Sequence, residues 1–114
     1  TFSNAGHNPP LIIEDGQFKT LEVANGLVLG IMNDYEFLTE TVNISKGIIV
    51  YTDGITDAKN SNDEFYGENR VIDFLNNHTF ENKVITNLLL DIDRFTGTEE
   101  QFDDMTLVLL DRHE

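Results

Sequence analysis

The stretch Ile48-Ile49-Val50-Tyr51-Thr52-Asp53-Gly54-Ile55-Thr56-Asp57 constrains this chain more than any other. Its continuous apolar run with β-branched residues reads as a buried strand, and Asp-Gly ends it in a turn. A strand anchored in a core delivers the Asp53 carboxylate to a fixed place, whereas a floppy loop lets it wander. A fixed acidic oxygen at a strand end suits a hard cation such as Mg²⁺ or Mn²⁺. Asp-Gly is also among the commonest hairpin turns. The stretch alone leaves both readings open.

Charge narrows the classes of partner. Seven basic residues against 21 acidic ones give a formal charge of −14. Such a surface repels nucleic acid and anionic lipid, which need clustered Lys and Arg. It also repels a phosphorylated substrate unless bound cations invert the local field. For most of the scattered Asp and Glu, solubility is sufficient explanation. Hydrophobic residues make up 39% of the 114, with eight Phe, so one small domain, or part of a larger one, can build a core. No window is long and apolar enough for a transmembrane helix, and no signal peptide is visible. The absence of Cys removes any disulfide framework and is compatible with the cytoplasm, where we place the chain.

Taken in order, Thr1-Phe2-Ser3-Asn4-Ala5 reads as a strand already under way at residue 1, as in a chain that begins inside a fold. Gly6-His7-Asn8-Pro9-Pro10 breaks it. Leu11-Ile12-Ile13 and Gln17-Phe18-Lys19-Thr20-Leu21 flank Glu14-Asp15-Gly16, a hairpin signal. A Gly-bearing connection from Ala24-Asn25-Gly26 to Leu29-Gly30-Ile31 follows, and the imperfect alternation from Asp34 to Ile44 predicts a half-exposed strand. Ser45-Lys46-Gly47 turns into the central strand. Beyond Asp57, residues 59–64 read as a polar, mobile loop closed by Phe65-Tyr66-Gly67. Val71, Phe74 and Leu75 predict a short helix. Ile85, Leu88, Ile92 and Phe95 predict a second, starting near Thr79 and stopping near Gly97. Both stripes are core faces. Met105-Thr106-Leu107-Val108-Leu109-Leu110 closes the chain as another buried strand, and His78 and His113 are expected at the surface. Strands, two helices and a closing strand predict an α+β fold, a mainly antiparallel sheet with helices on a face.

Three polar clusters lie at strand junctions: Asn4-Ala5-Gly6-His7-Asn8-Pro9-Pro10, Tyr51-Thr52-Asp53-Gly54 and Asp103-Asp104-Met105-Thr106. With Leu29-Gly30 and Tyr66-Gly67, they form an ordered set spanning residues 2 to about 110. In this set the chain resembles the C-terminal part of a metal-dependent phosphatase of the PPM (PP2C-like) superfamily, in its bacterial SpoIIE/RsbU-type branch. The resemblance implies a partial antiparallel β-sandwich with helices packed outside, the C-terminal portion of an αββα fold, occupying residues 1–114. It also implies two Mn²⁺ or Mg²⁺ ions about 3.5–4 Å apart, whose shared water attacks phosphorus directly.

Carried over by position, Asp53 and Gly54 match the metal-binding Asp-Gly motif, and Asp103 matches the closing metal ligand. Asp53 and Asp103 are thus the expected catalytic pair. Asp104 falls on the position of an Asn in the wider superfamily, which suits a residue that supports the ligands. Asp57 either reaches a third, weaker metal site or is a solvated carboxylate at a helix start. His7 either positions phosphate or a metal-associated water, or braces the Pro turn. The Asp and Gly-His-Gly of the family's N-terminal half have no counterpart here, so the resemblance implies only part of the metal site and an inactive isolated piece. The expected partner is a phosphorylated regulatory protein, such as an anti-anti-sigma factor, with no nucleic acid and no membrane contact. A homodimer would cover sheet surface left open. Two further readings stand beside the enzyme: a non-catalytic binding or regulatory module on a phosphatase fold, and an acidic Ca²⁺-binding domain. The last lacks the twelve-residue Asp-rich loop of such sites.

Overall fold

Asp15 and Gly16 both adopt positive φ, 52° and 78°, the signature of a two-residue type I′ hairpin turn. That turn joins β1 (Leu11–Glu14) to β2 (Gln17–Thr20), as the Glu14-Asp15-Gly16 signal predicts. The computed structural model describes residues 1–23, 26–78 and 83–112. Its remaining elements are β3 (Gly47–Tyr51), α1 (Asp53–Thr56), α2 (Gly67–Asn77), α3 (Val84–Thr96) and β4 (Leu107–Asp111). The strands form one antiparallel sheet in the order β2-β1-β3-β4. The fold is α+β.

Register explains where the core sits. Leu11 pairs with Ile49, Ile13 with Phe18, Ile49 with Leu109 and Tyr51 with Leu107, so these side chains share one face. Helices α2 and α3 cover that face with Val71 and Leu75, and with Val84, Leu88 and Ile92, all buried. The predicted helical stripes are therefore core faces. The opposite face carries Ile12, Ile48, Val50, Val108 and Leu110, paired Ile12–Ile48, Ile48–Leu110 and Val50–Val108. Ile12 is buried, but Val50, Val108 and Leu110 are 38%, 53% and 66% exposed. The expectation of two fully buried strands is corrected: each apolar run divides between a covered face and an open one. The molecule is a slab, 44 × 39 × 17 Å, with a radius of gyration of 15.4 Å, above the roughly 13 Å of a spherical domain this long.

Other expectations shift too. Residues 1–5 and 34–44 form no regular strand. They meet at one bridge, where Phe2 and Glu40 exchange backbone hydrogen bonds of 2.8 Å each, flanked by hydroxyl contacts Thr1–Thr41 and Ser3–Thr39. Alternation sets the facing of a segment, but a strand also needs a continuous hydrogen-bonded neighbour. Helix α3 begins at Val84, after Lys83 in the left-handed region, and stops at Gly97 as predicted; Thr79, Ala24, Asn25 and His113 lie outside the described residues. The loop at 59–64 is tied by hydrogen bonds: Asn60 Oδ1 accepts from the amides of Asn62 and Glu64, and Lys59 bridges to Phe65. His78 is half-buried; its Nδ1 donates to the Phe74 carbonyl at 2.8 Å, and its ring stacks on Phe74, closing α2.

Candidate functional site

Antiparallel pairing of β3 with β4 brings the end of β3 beside the start of β4. Thr52 follows β3 and clasps the two chains. Its amide donates to the Thr106 carbonyl at 3.0 Å, its hydroxyl donates to the Asp104 carbonyl at 3.1 Å, and the Thr106 amide donates to that hydroxyl at 3.0 Å. Asp53 then opens the four-residue α1, and Gly54 lies flat against the Asp103-Asp104 backbone. A Cβ on Gly54 would sit 2.2 Å from the Asp104 carbonyl oxygen, so only Gly permits this approach. The Asp-Gly turn and the Asp-Asp turn are thus packed backbone to backbone.

The side chains around this clasp face solvent. Asp53, Asp57, Asp103 and Asp104 are all exposed. Asp103 Oδ1 accepts from the Asp104 amide at 2.8 Å, and the Asp103 carbonyl accepts from Gln101 Nε2 at 2.8 Å. Asp57 caps the end of α1, its amide donating to the Asp53 carbonyl at 2.8 Å. Its alternative reading as a helix-start carboxylate is corrected, because the helix begins at Asp53. Carboxylate and carbonyl oxygens at 53, 54, 103 and 104 fit a hard divalent cation in kind. In number they fall short: among the described residues, no three His, Cys, Asp or Glu side chains converge on one point.

The first polar cluster arrives at the same end of the sheet, because Pro10 immediately precedes the Leu11–Ile49 pair. Asn4, buried, organises it: Oδ1 accepts from the His7 amide at 2.8 Å and Nδ2 donates to the His7 carbonyl at 2.9 Å. The His7 ring is exposed and hydrogen-bonds the Asn8 carbonyl through Nδ1 at 2.9 Å. It joins no three-ligand group with the acidic turns.

Behind these turns, Tyr66 fixes the helices. It is buried, its hydroxyl donates to Asp91 Oδ2 at 2.6 Å, and its ring meets Phe95 edge-on at 5.4 Å. Burial, reinforced by Asp91, pushes its phenol well above the ordinary value. Tyr51, buried beside Glu68, is pushed up to about 12 for the same two kinds of reason. Sequence reasoning assigned no role to Thr52, Asn4 or Tyr66. All three lie inside the motifs; Asn4 and Thr52 hold backbone, and Tyr66 ties its side chain to Asp91 and Phe95 of α3.

The chain can now be set beside known proteins. The family model for stage II sporulation protein E (SpoIIE) matches residues 1–113. The chain belongs to the SpoIIE family. Among relatives of this SpoIIE-family chain, the protein IcfG of Synechocystis sp. is 28% identical over 116 residues, covering 99% of this chain and 18% of IcfG. The phosphoserine phosphatase RsbU of Bacillus subtilis is 38% identical over 66 residues, 54% of this chain and 19% of RsbU. The chain therefore spans less than a fifth of either relative.

Two solved structures share the fold. The crystal structure of the RsbU and RsbW domains of a Mycobacterium tuberculosis protein superposes with a TM-score of 0.65 at 26% identity, over 96% of this chain and 31% of that one. The manganese-presoaked phosphatase domain of Bacillus subtilis SpoIIE superposes with a TM-score of 0.63 at 18% identity, over 94% of this chain and 47% of that one. In sequence and fold the chain corresponds to part of a SpoIIE/RsbU-type, PP2C-like phosphatase domain. Among its described residues no helix is long and apolar enough to cross a membrane.

Proposed function

We propose that this chain supplies one side of the metal centre of a protein serine/threonine phosphatase, which hydrolyses a phosphorylated regulatory protein in the cytoplasm. The observation that carries the reading is the Thr52 clasp, which packs Asp53-Gly54 on Asp103-Asp104 at one end of the sheet. Asp53 and Asp103 are the proposed ligands of two Mn²⁺ or Mg²⁺ ions, with Gly54 contributing backbone, Asp104 supporting and Asp57 at a weaker third site. Such ions supply a nucleophilic water at neutral pH and cancel phosphoryl charge. In a chain of charge −14, that cancellation is also what admits a phosphate. RsbU, a phosphoserine phosphatase, supports phosphoserine as the substrate, and the RsbU–RsbW pairing in one relative supports a partner such as an anti-anti-sigma factor. His7 is in this proposal a brace of the Pro turn, a reading supported by its hydrogen bond to the Asn8 carbonyl.

With so few ligands converging, the 114 residues alone are inactive in this reading. Titration with Mn²⁺ by calorimetry, followed by an aryl phosphate assay at saturating metal, tests it. The expected result is weak binding, about 10⁻⁴ M or weaker, without turnover. Tight binding with turnover would show a complete site, across a homodimer for instance. In a protein carrying the whole phosphatase domain, Asp53→Asn abolishes Mn²⁺-dependent turnover; retained turnover removes Asp53 from the centre. That no three ligands converge among the described residues also favours a second reading, a non-catalytic regulatory module. Metal-dependent turnover by the whole domain excludes it.

A further inference from the structure

Beside the clasp runs a groove of about 480 Å³, within the size range of about 300–1,000 Å³ usual for ligand pockets. It lies between the end of α1, one side of α3 and residues 99–105. Its apolar lining comes from Leu89, Leu90, Ile92, Phe102 and Met105, and Phe102 is 85% exposed. Soluble domains rarely leave an aromatic ring and two leucines together in water without a use. Its polar lining is strongly one-signed: Asp57, Asp93, Glu99, Glu100 and Asp103. Lys59 is the one basic residue among the described lining, and its ammonium sits over the Phe65 ring at 5.0 Å from the centroid.

We propose that this groove docks a cationic, amphipathic segment of a partner protein. Its bulky apolar side chains lie on the Leu90–Phe102–Met105 floor, and its Lys and Arg side chains meet the carboxylates around it. Three considerations select this occupant. An anionic peptide, lipid or nucleic acid meets five carboxylates and is repelled. A second copy of this chain has no cationic segment to offer, since its seven basic residues are scattered singly from Lys19 to Arg112. An uncharged apolar ligand leaves those carboxylates without cationic partners, whereas complementary charge speeds encounter and fixes the register of docking. The groove takes in Gly54 and Asp103, so the docked segment lies beside the Asp53–Asp103 end of the sheet. Docking does not depend on the phosphatase reading, because it needs neither metal nor turnover.

The test is fluorescence anisotropy with the 114-residue chain and three labelled dodecapeptides: amphipathic Leu/Lys, its Leu/Glu counterpart, and a Gly/Lys peptide of equal charge. Measurement in about 0.15 M salt, where the Debye length is about 8 Å, suppresses diffuse attraction to the acidic surface. The Leu/Lys peptide is expected to bind at least about tenfold tighter than either control. Phe102→Ser, at a residue too exposed to unfold the chain, weakens it about tenfold, and so does Glu99→Lys with Glu100→Lys. Glu36→Lys, exposed and outside the groove, has no effect. Equal binding of the Gly/Lys peptide, or indifference to Phe102→Ser, overturns the proposal in favour of unspecific attraction to a −14 surface. A peptide-free dimer in sedimentation that Phe102→Ser dissolves overturns it in favour of a second copy.

Discussion

Thr52 holds three hydrogen bonds of 3.1 Å or shorter through one amide and one hydroxyl, and the candidate centre depends on it more than on any carboxylate's own geometry. Thr52→Val keeps the shape and removes the hydroxyl. It removes the acceptor of the exposed Thr106 amide, which water can then reach, so stability falls by about 0.5–1.5 kcal/mol, read as a lower urea midpoint at unchanged slope. Gly54→Ala forces a methyl into the Asp104 carbonyl and costs about 1–3 kcal/mol by overpacking, while prising the two acidic turns apart. Tyr51 and Tyr66 set an alkaline limit. Their phenols titrate higher in the folded chain than in the unfolded one, so between them the unfolded state loses protons that the folded state keeps. Stability contributed this way is complete below about pH 10 and falls as pH rises towards 12. Equilibrium unfolding measured across that window should show the decline, and Tyr51→Phe should make it shallower. At this scale the carboxylates were legible, because Asp-Gly and Asp-Asp stand at the ends of apolar runs. Thr52 was not, because a hydroxyl that bonds backbone across 54 residues of chain leaves no local pattern.

Helix α2 is joined to the sheet edge by Glu68, which accepts from the Thr20 hydroxyl at 2.8 Å, and by Asn76, which bonds the strand's backbone. Asn76 Oδ1 accepts from the Phe18 amide at 2.6 Å and its Nδ2 donates to the Phe18 carbonyl at 3.2 Å, so an amide side chain pairs with β2 as a neighbouring strand would. Asn76→Ala should cost about 1–3 kcal/mol and speed hydrogen exchange at the Phe18 amide well beyond that at Ile49, an interior residue of the sheet. An unchanged Phe18 exchange rate would show that the edge needs no such partner. Element types were readable from period: the hairpin, both long helices and the closing strand appear in order. Boundaries and the outer strands were not. Residues 34–44 alternate yet form one bridge only, because pairing depends on a neighbour that alternation does not specify.

As a whole, the chain is a thin slab with an apolar sheet face on one side and a charge of −14. The two properties oppose each other. Apolar Val50, Val108 and Leu110 favour association, and net charge resists it. Sedimentation velocity should therefore show self-association that strengthens as salt screens the charge and weakens in Val108→Lys with Leu110→Lys. Salt-independent monomers would show that the face needs no cover in this chain.

Residue order made the fold class, the element sequence, the ordered motif set and the hard-oxygen character of the candidate site readable, because period and turn chemistry are local properties. Tertiary structure decided the rest. Which face of β3 and β4 is covered, how closely Gly54 approaches Asp104, and where the acid-rimmed groove opens are all set by register and packing between segments far apart in the chain. No local rule carries that information.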